Sequence, residues 1–142
     1  MFKLTVRVNF SAAHRLKYSK SDCAFLHGHN YKLLVYYEGD LSPTSGMVED
    51  FKEIESNIAG YVLEKFDHSI IISSHDTEML DVIGEISPKK IALVDGEPTA
   101  EVIVNDIAKH IRFLALESDF YKGYSELELW ETDKYCVSLK LY

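Results

Sequence analysis

Three histidines and a cysteine near the N-terminus have the residue types and the spacing of a metal-dependent active site. Cys23, His27 and His29 fall within seven residues, in the run Cys23-Ala24-Phe25-Leu26-His27-Gly28-His29-Asn30-Tyr31. In an extended chain His27 and His29 project from the same face, because side chains alternate with period two. Upstream, Leu4, Val6, Val8, Phe10 and Ala12 alternate with Lys3, Thr5, Arg7, Asn9 and Ser11, and His14 is in phase with the apolar set. A hairpin between these two segments would bring His14 to His27 and His29. Three imidazoles on a rigid ladder form a facial nitrogen site of the kind that holds zinc and leaves the fourth position open. The alternative is that each histidine caps a core or meets solvent, with no shared ligand.

The elements that must position these groups follow from periodicity. Phe2 to His14 alternates strictly and is predicted as a strand. Arg15 to Asp22 is polar and irregular, a loop leading to Cys23. Tyr31 to Glu38 returns to extended structure, and Gly39 to Gly46 is rich in turn residues. A helix is expected from Asp50, which can cap it, with Glu53 completing a capping-box-like pair. Phe51, Ile54, Ile58, Val62 and Phe66 would form its buried stripe, and Asp67 and His68 follow directly. Ile70-Ile71-Ile72 and Ile91-Ala92-Leu93-Val94 could pair as a short hairpin, with Asp76 to Lys90 as an excursion. Thr99 caps a second helix whose stripe is Ile103, Ile107, Ile111 and Leu114, with Glu101 in the first turn, where the helix dipole favours an acid. Ser125 to Glu131 alternates, with Leu127, Leu129 and Glu131 on one face. Cys136 to Tyr142 is the last strand. Four main strands and two helices predict one α+β domain over residues 1–142, its helices on a single sheet face. The other face carries Leu34 and Tyr36 and leaves sheet edges open, so a homo-oligomer is expected.

Composition narrows the partners. The chain of 142 residues is 46% hydrophobic and 27% charged, with a net charge of −8, which argues against a nucleic-acid backbone as main partner. Two cysteines, Cys23 and Cys136, are too few for a disulfide framework. No apolar run approaches the ~20 residues that span a bilayer. The alternation from the second residue leaves no room for a leader peptide, so a cytoplasmic protein without membrane attachment is expected.

The ordered motifs Phe10-Ser11-Ala12-Ala13-His14-Arg15-Leu16, Cys23 with His27-Gly28-His29-Asn30-Tyr31, Gly46-Met47-Val48-Glu49-Asp50-Phe51, Phe66-Asp67-His68, Pro98-Thr99-Ala100-Glu101 and Glu131-Thr132-Asp133 resemble the superfamily of 6-pyruvoyltetrahydropterin and 6-carboxytetrahydropterin synthases. The resemblance implies a tunnelling fold: a four-stranded antiparallel sheet with two helices on one side, assembling, as a hexamer, into a strand-lined toroid. It implies Zn²⁺ on His14, His27 and His29. It makes Cys23 a thiolate proton acceptor and Asp67 with His68 a proton relay. Glu131 matches the carboxylate that grips the guanidine-like edge of a pterin, and Thr99 and Glu101 match residues near that pocket. The implied substrate is 7,8-dihydroneopterin triphosphate. The three-residue gap between Cys23 and His27 resembles the branch that forms 6-carboxy-5,6,7,8-tetrahydropterin, releasing acetaldehyde and triphosphate, for deazaguanine (queuosine- or archaeosine-type) synthesis. The alternatives are formation of 6-pyruvoyltetrahydropterin by triphosphate elimination, and a zinc- or pterin-binding protein without turnover. The stretch after His68 is longer than in compact members of the carboxy-forming branch.

Overall fold

A computed structural model describes residues 1–142. Six strands form one sheet in the order β4-β3-β1-β2-β5-β6. The long hairpin is as expected: β1 (Phe2–His14) and β2 (His27–Gly39) pair antiparallel from Phe2 opposite Gly39 to His14 opposite His27. β5 (Tyr124–Trp130) adds to β2, and β6 (Cys136–Lys140) adds to β5, both antiparallel. The inward alternation of Val6, Val8, Phe10, Tyr31, Leu33, Val35, Leu127 and Leu129 builds one core face.

Two helices cover that face. α1 (Phe51–Phe66) begins at Asp50, whose side chain accepts from the Lys52 amide at 2.8 Å. The second half of the expected capping box is not made: the Asp50 amide donates to Glu49, not to Glu53. Ile54, Ile58, Val62 and Phe66 are fully buried, but Phe51 is 56% exposed, because it precedes the turn at which the helix first meets the sheet. The next helix to reach this face, Ala100–Leu114, is capped by Thr99 and buries Ile103, Ile107 and Ile111, while Leu114 is half-buried. Burial of such side chains contributes roughly 1.5–3 kcal/mol each.

Residues 69–97 depart from the sequence expectation. β3 (Ser69–Ser73) and β4 (Ile91–Val94) do pair, but in parallel, and β3 joins β1, also in parallel. The sheet is therefore mixed and six-stranded rather than four-stranded and antiparallel, and the expected hairpin is a right-sized crossover instead. A parallel pair needs a connection of about a dozen residues or more, and here it is filled by α2 (Thr77–Ile86). The remaining helix, Ala100–Leu114, is α3, so there are three helices rather than two. Ile71 faces the main core, whereas Ile72 packs with Met79 and Ile83 of α2. Neighbouring residues of a strand point to opposite faces, so α2 covers the other side of the sheet at this edge. No helix is long and apolar enough to cross a membrane.

Asp76 ties this added unit to the end of β1. Its carboxylate is nearly fully buried and accepts from Arg15 Nε at 2.9 Å and Nη2 at 2.7 Å, while also capping α2 at the Met79 amide. Asp76→Ala is expected to cost about 2–4 kcal/mol, the sum of a lost cap and a charge-assisted pair. The Asp76 carboxyl is held below the usual carboxylate range, first by its hydrogen bond from Arg15. Its contribution is complete above about pH 4 and is lost as pH falls through the depressed value. Chemical unfolding from pH 7 to pH 3 should show wild type and variant converging on the acid side. A gap that stays constant with pH would contradict this role.

Candidate metal and active site

The site is built where β1 ends and β2 begins. His14 lies directly opposite His27, and His29 lies opposite Ala12, so the three imidazoles share one end of the ladder on its core face. β5 supplies the fourth group. Lys32 pairs with Trp130, which leaves Glu131 just past the ladder opposite Tyr31, in phase with buried Leu127 and Leu129. One ligand atom from each of His14, His27, His29 and Glu131 falls within 4.8 Å of the others, a group able to hold a metal ion.

The orientation of the rings supports that use. His14 Nδ1 is 2.6 Å from the Pro98 carbonyl oxygen, and His27 Nδ1 is 2.6 Å from the Phe25 carbonyl oxygen. Carbonyls only accept, so both Nδ1 atoms carry the proton and both Nε2 lone pairs face inward. Those Nε2 atoms are 3.1 Å apart. Two neutral rings in this tautomer cannot hydrogen-bond to each other there; a cation between them satisfies both. Ligand distances of ~2.0–2.1 Å place tetrahedral nitrogens ~3.3 Å apart, so the spacing fits. His29 Nε2 is a buried polar atom that makes no hydrogen bond. Glu131 Oε1 stands 2.9 Å from it, and 3.3 Å from His14 Nε2, without hydrogen-bond geometry to His29. A buried nitrogen without a hydrogen-bond partner, aimed at a point it shares with other donors, is suited to ligate a metal.

Electrostatics follows from this crowding. Burial pushes the His29 imidazole down from its ordinary value. The Glu131 carboxyl is held below the usual carboxylate range, first by its contact with His14 and then by the nearby His29. Tyr31, whose hydroxyl is 3.4 Å from His14 Nδ1, is pushed up by burial.

The other expected site residues are placed differently. Cys23 is half-buried in a short 3-10 turn, Asp22–Ala24, just before β2, and does not join the cluster. Asp67 accepts from the Ser11 amide at 2.9 Å and its other oxygen is 3.0 Å from His68 Nδ1, so the two side chains are in contact. The Ser11 amide is the main reason the Asp67 carboxyl lies below its usual range. His68 is 80% exposed and is the one non-glycine residue with positive φ, 57°. Such a backbone costs of order 1–3 kcal/mol and is retained where its neighbours force it. The amide of His68 donates to the Ser11 carbonyl, three positions along β1 from His14 and on the outward side of the strand. His29, opposite Ala12 and so next along the ladder, lines a shallow cavity together with His68. Thr99 is engaged as the cap of α3 and directly follows Pro98, so it touches the site through the chain. Glu101 is exposed in the first turn of α3, outside the cluster. Arg15 is committed to Asp76. Periodicity could not reveal the Pro98 and Phe25 carbonyls, because backbone acceptors leave no side-chain pattern; the proline motif was the only hint.

Fold and site together define an α+β protein with a mixed six-stranded sheet and a three-imidazole, one-carboxylate cluster able to hold a metal ion. The chain belongs to the 6-pyruvoyl tetrahydropterin synthase family, whose model matches residues 3–141. It is 35% identical over 133 residues to the 6-carboxy-5,6,7,8-tetrahydropterin synthase of Rickettsia felis, covering 93% of this chain and 95% of that protein. Its fold is similar to a solved but uncharacterized protein of Wolinella succinogenes (TM-score 0.81, 21% identity, covering 98% of this chain and 97% of that one). It is also similar to 6-pyruvoyl tetrahydropterin synthase of Caenorhabditis elegans (TM-score 0.69, 25% identity, covering 98% of this chain and 94% of that one).

Proposed function

We propose that this chain is a zinc-dependent 6-carboxy-5,6,7,8-tetrahydropterin synthase, a single-domain lyase acting on 7,8-dihydroneopterin triphosphate with release of acetaldehyde and triphosphate. The observation that carries the metal half is the pair of inward Nε2 lone pairs at 3.1 Å, each fixed by a backbone carbonyl on the far side of its ring. Imidazole ligands at tetrahedral spacing suit zinc. Support for the carboxy-forming product is the full-length similarity to the Rickettsia felis enzyme, together with the short gap between Cys23 and His27. The pyruvoyl-forming reaction is the second reading, favoured by the name of the matched family and by the similarity to the Caenorhabditis elegans synthase.

When bound, the metal would supply a Lewis acid to the substrate's side-chain oxygens. The chain's own residues then divide the remaining work. Cys23 accepts the proton released from the side chain. Asp67 fixes the tautomer of His68, which shuttles a proton. Glu131 accepts from the two N–H donors of the pterin edge, a charge-assisted bidentate contact. Thr99 and Glu101 are assigned to the surroundings of the pterin pocket by the family motif they match. The product fits a route to deazaguanine nucleosides, and the predicted setting is cytoplasmic.

A homo-oligomer is part of the proposal. Phe2, Leu41, Met47 and Phe51 are each half or more exposed around a groove of about 340 Å³, and β4 and β6 are open edges. Light scattering at micromolar concentration should report an assembly, with a hexamer expected; a monomer would contradict it. The direct test of function is incubation of the zinc-loaded protein with 7,8-dihydroneopterin triphosphate and product identification by mass. 6-Carboxytetrahydropterin with acetaldehyde supports the first reading, and 6-pyruvoyltetrahydropterin replaces it with the second. No turnover leaves a binding protein.

A further inference from the structure

Glu131 is positioned for two incompatible jobs. As the carboxylate opposite a pterin edge it must have both oxygens free for N–H donors. In the structure one of those oxygens instead points into the histidine cluster, 2.9 Å from His29 Nε2 and 3.3 Å from His14 Nε2. With the 3.1 Å between His14 Nε2 and His27 Nε2, three of the six separations among the four ligand atoms are close to a tetrahedral edge, and all six lie within 4.8 Å. The ideal edge for ligand distances of ~2.0–2.2 Å is about 3.3–3.6 Å. The buried His29 nitrogen has no hydrogen-bond partner although Glu131 is close enough to be one. The pair is thus arranged as two donors to a common third atom and not as donor and acceptor.

We infer that Glu131 is the fourth protein ligand of the metal in the substrate-free protein, and that it must leave the metal when substrate oxygens arrive. The inference rests on the metal-site reading above and deepens it. The fold allows the exchange: Glu131 lies one residue beyond β5, where the ladder to β2 has ended and a turn begins, and its side chain is 25% exposed. Its amide still donates to the Tyr135 carbonyl at 3.1 Å, so the backbone is held while the side chain can swing. The physical consequence is a site that rests closed, like a structural zinc, and opens only to a ligand that offers both oxygen donors for the metal and N–H donors for the displaced carboxylate. A molecule with one set and not the other meets competition from Glu131. Selectivity is then built into one side chain.

The test uses the full chain loaded with zinc, and the same chain loaded with cobalt(II), in wild type, Glu131→Ala and Glu131→Gln. Loss of an outer partner of a metal ligand costs ~10–100-fold in metal affinity, so loss of a direct ligand should speed zinc release to a chelator by at least that factor in Glu131→Ala. The visible cobalt bands should shift in both variants, because the donor set changes. Circular dichroism melts confirm that each variant folds. Release rates and cobalt spectra equal to wild type in both variants would overturn the inference while leaving the zinc site standing. Faster release with unchanged cobalt bands would also overturn it, assigning Glu131 an outer-sphere role. Absence of metal from wild type would instead bring down the metal-site reading, and the inference with it.

Discussion

His29→Ala is expected to leave a folded chain that retains almost no zinc. The three imidazoles come from one hairpin, and His29 supplies the nitrogen that has no other use: buried, unpaired and aimed at the common point. Removing one of the histidine ligands should lower metal affinity by at least ~100-fold, since outer-shell changes alone cost up to that much. His27→Ala should behave in the same way. His14→Ala should do so at greater cost to stability, because His14 is fully buried and its removal also strands the Pro98 carbonyl. The main core lies along the length of the sheet beneath α1 and α3, so folding does not depend on the ion. Elemental analysis after dialysis reads the result directly: about one zinc per chain in wild type and close to none in the variants. Full occupancy in all three variants would sink the assignment.

Cys23→Ala separates chemistry from scaffold. The backbone around Cys23 is anchored without the thiol: its amide donates to Ser21 Oγ at 3.3 Å and its carbonyl accepts from the Leu16 amide at 2.7 Å. Alanine keeps both contacts, and the residue is outside the metal cluster. The variant should therefore fold, assemble, load zinc and bind substrate much as wild type does. Loss of the proton acceptor should lower turnover by ~10²–10⁴-fold, the usual range for a general base. Stopped-flow or steady-state assay of the zinc-loaded variant checks this. Turnover within twofold of wild type would make the thiol a bystander. Loss of zinc would mean that the sulfur is a ligand.

Much of this architecture is legible in the chain because it depends on local periodicity. Thirteen-residue alternation in Phe2–His14 specifies a strand and the face on which His14 sits, whatever the partner. His27 and His29, two apart, must share a face for the same reason. The stripes at Ile54, Ile58 and Val62, and at Ile103, Ile107 and Ile111, specify helices that bury one side. Asp50 and Thr99 cap them, as their side-chain chemistry dictates.

Other features depend on partners distant in sequence. A run such as Ile70-Ile71-Ile72 is apolar on both faces and carries no direction. Whether it pairs antiparallel or parallel was decided by the space that α2 fills between β3 and β4. Phe51 is on the helical stripe yet exposed, because a stripe says which side is apolar and not where along the helix the sheet begins. Arg15 follows His14 directly in the sequence, yet its partner is Asp76, sixty-one residues on at the start of the added unit. The same holds at the site. Residue type and spacing determined that His14, His27 and His29 could meet. That the Pro98 and Phe25 carbonyls fix their tautomers, and that Glu131 closes the fourth side, was decided only in three dimensions, because backbone acceptors and a carboxylate more than a hundred residues away become neighbours only when the sheet is assembled.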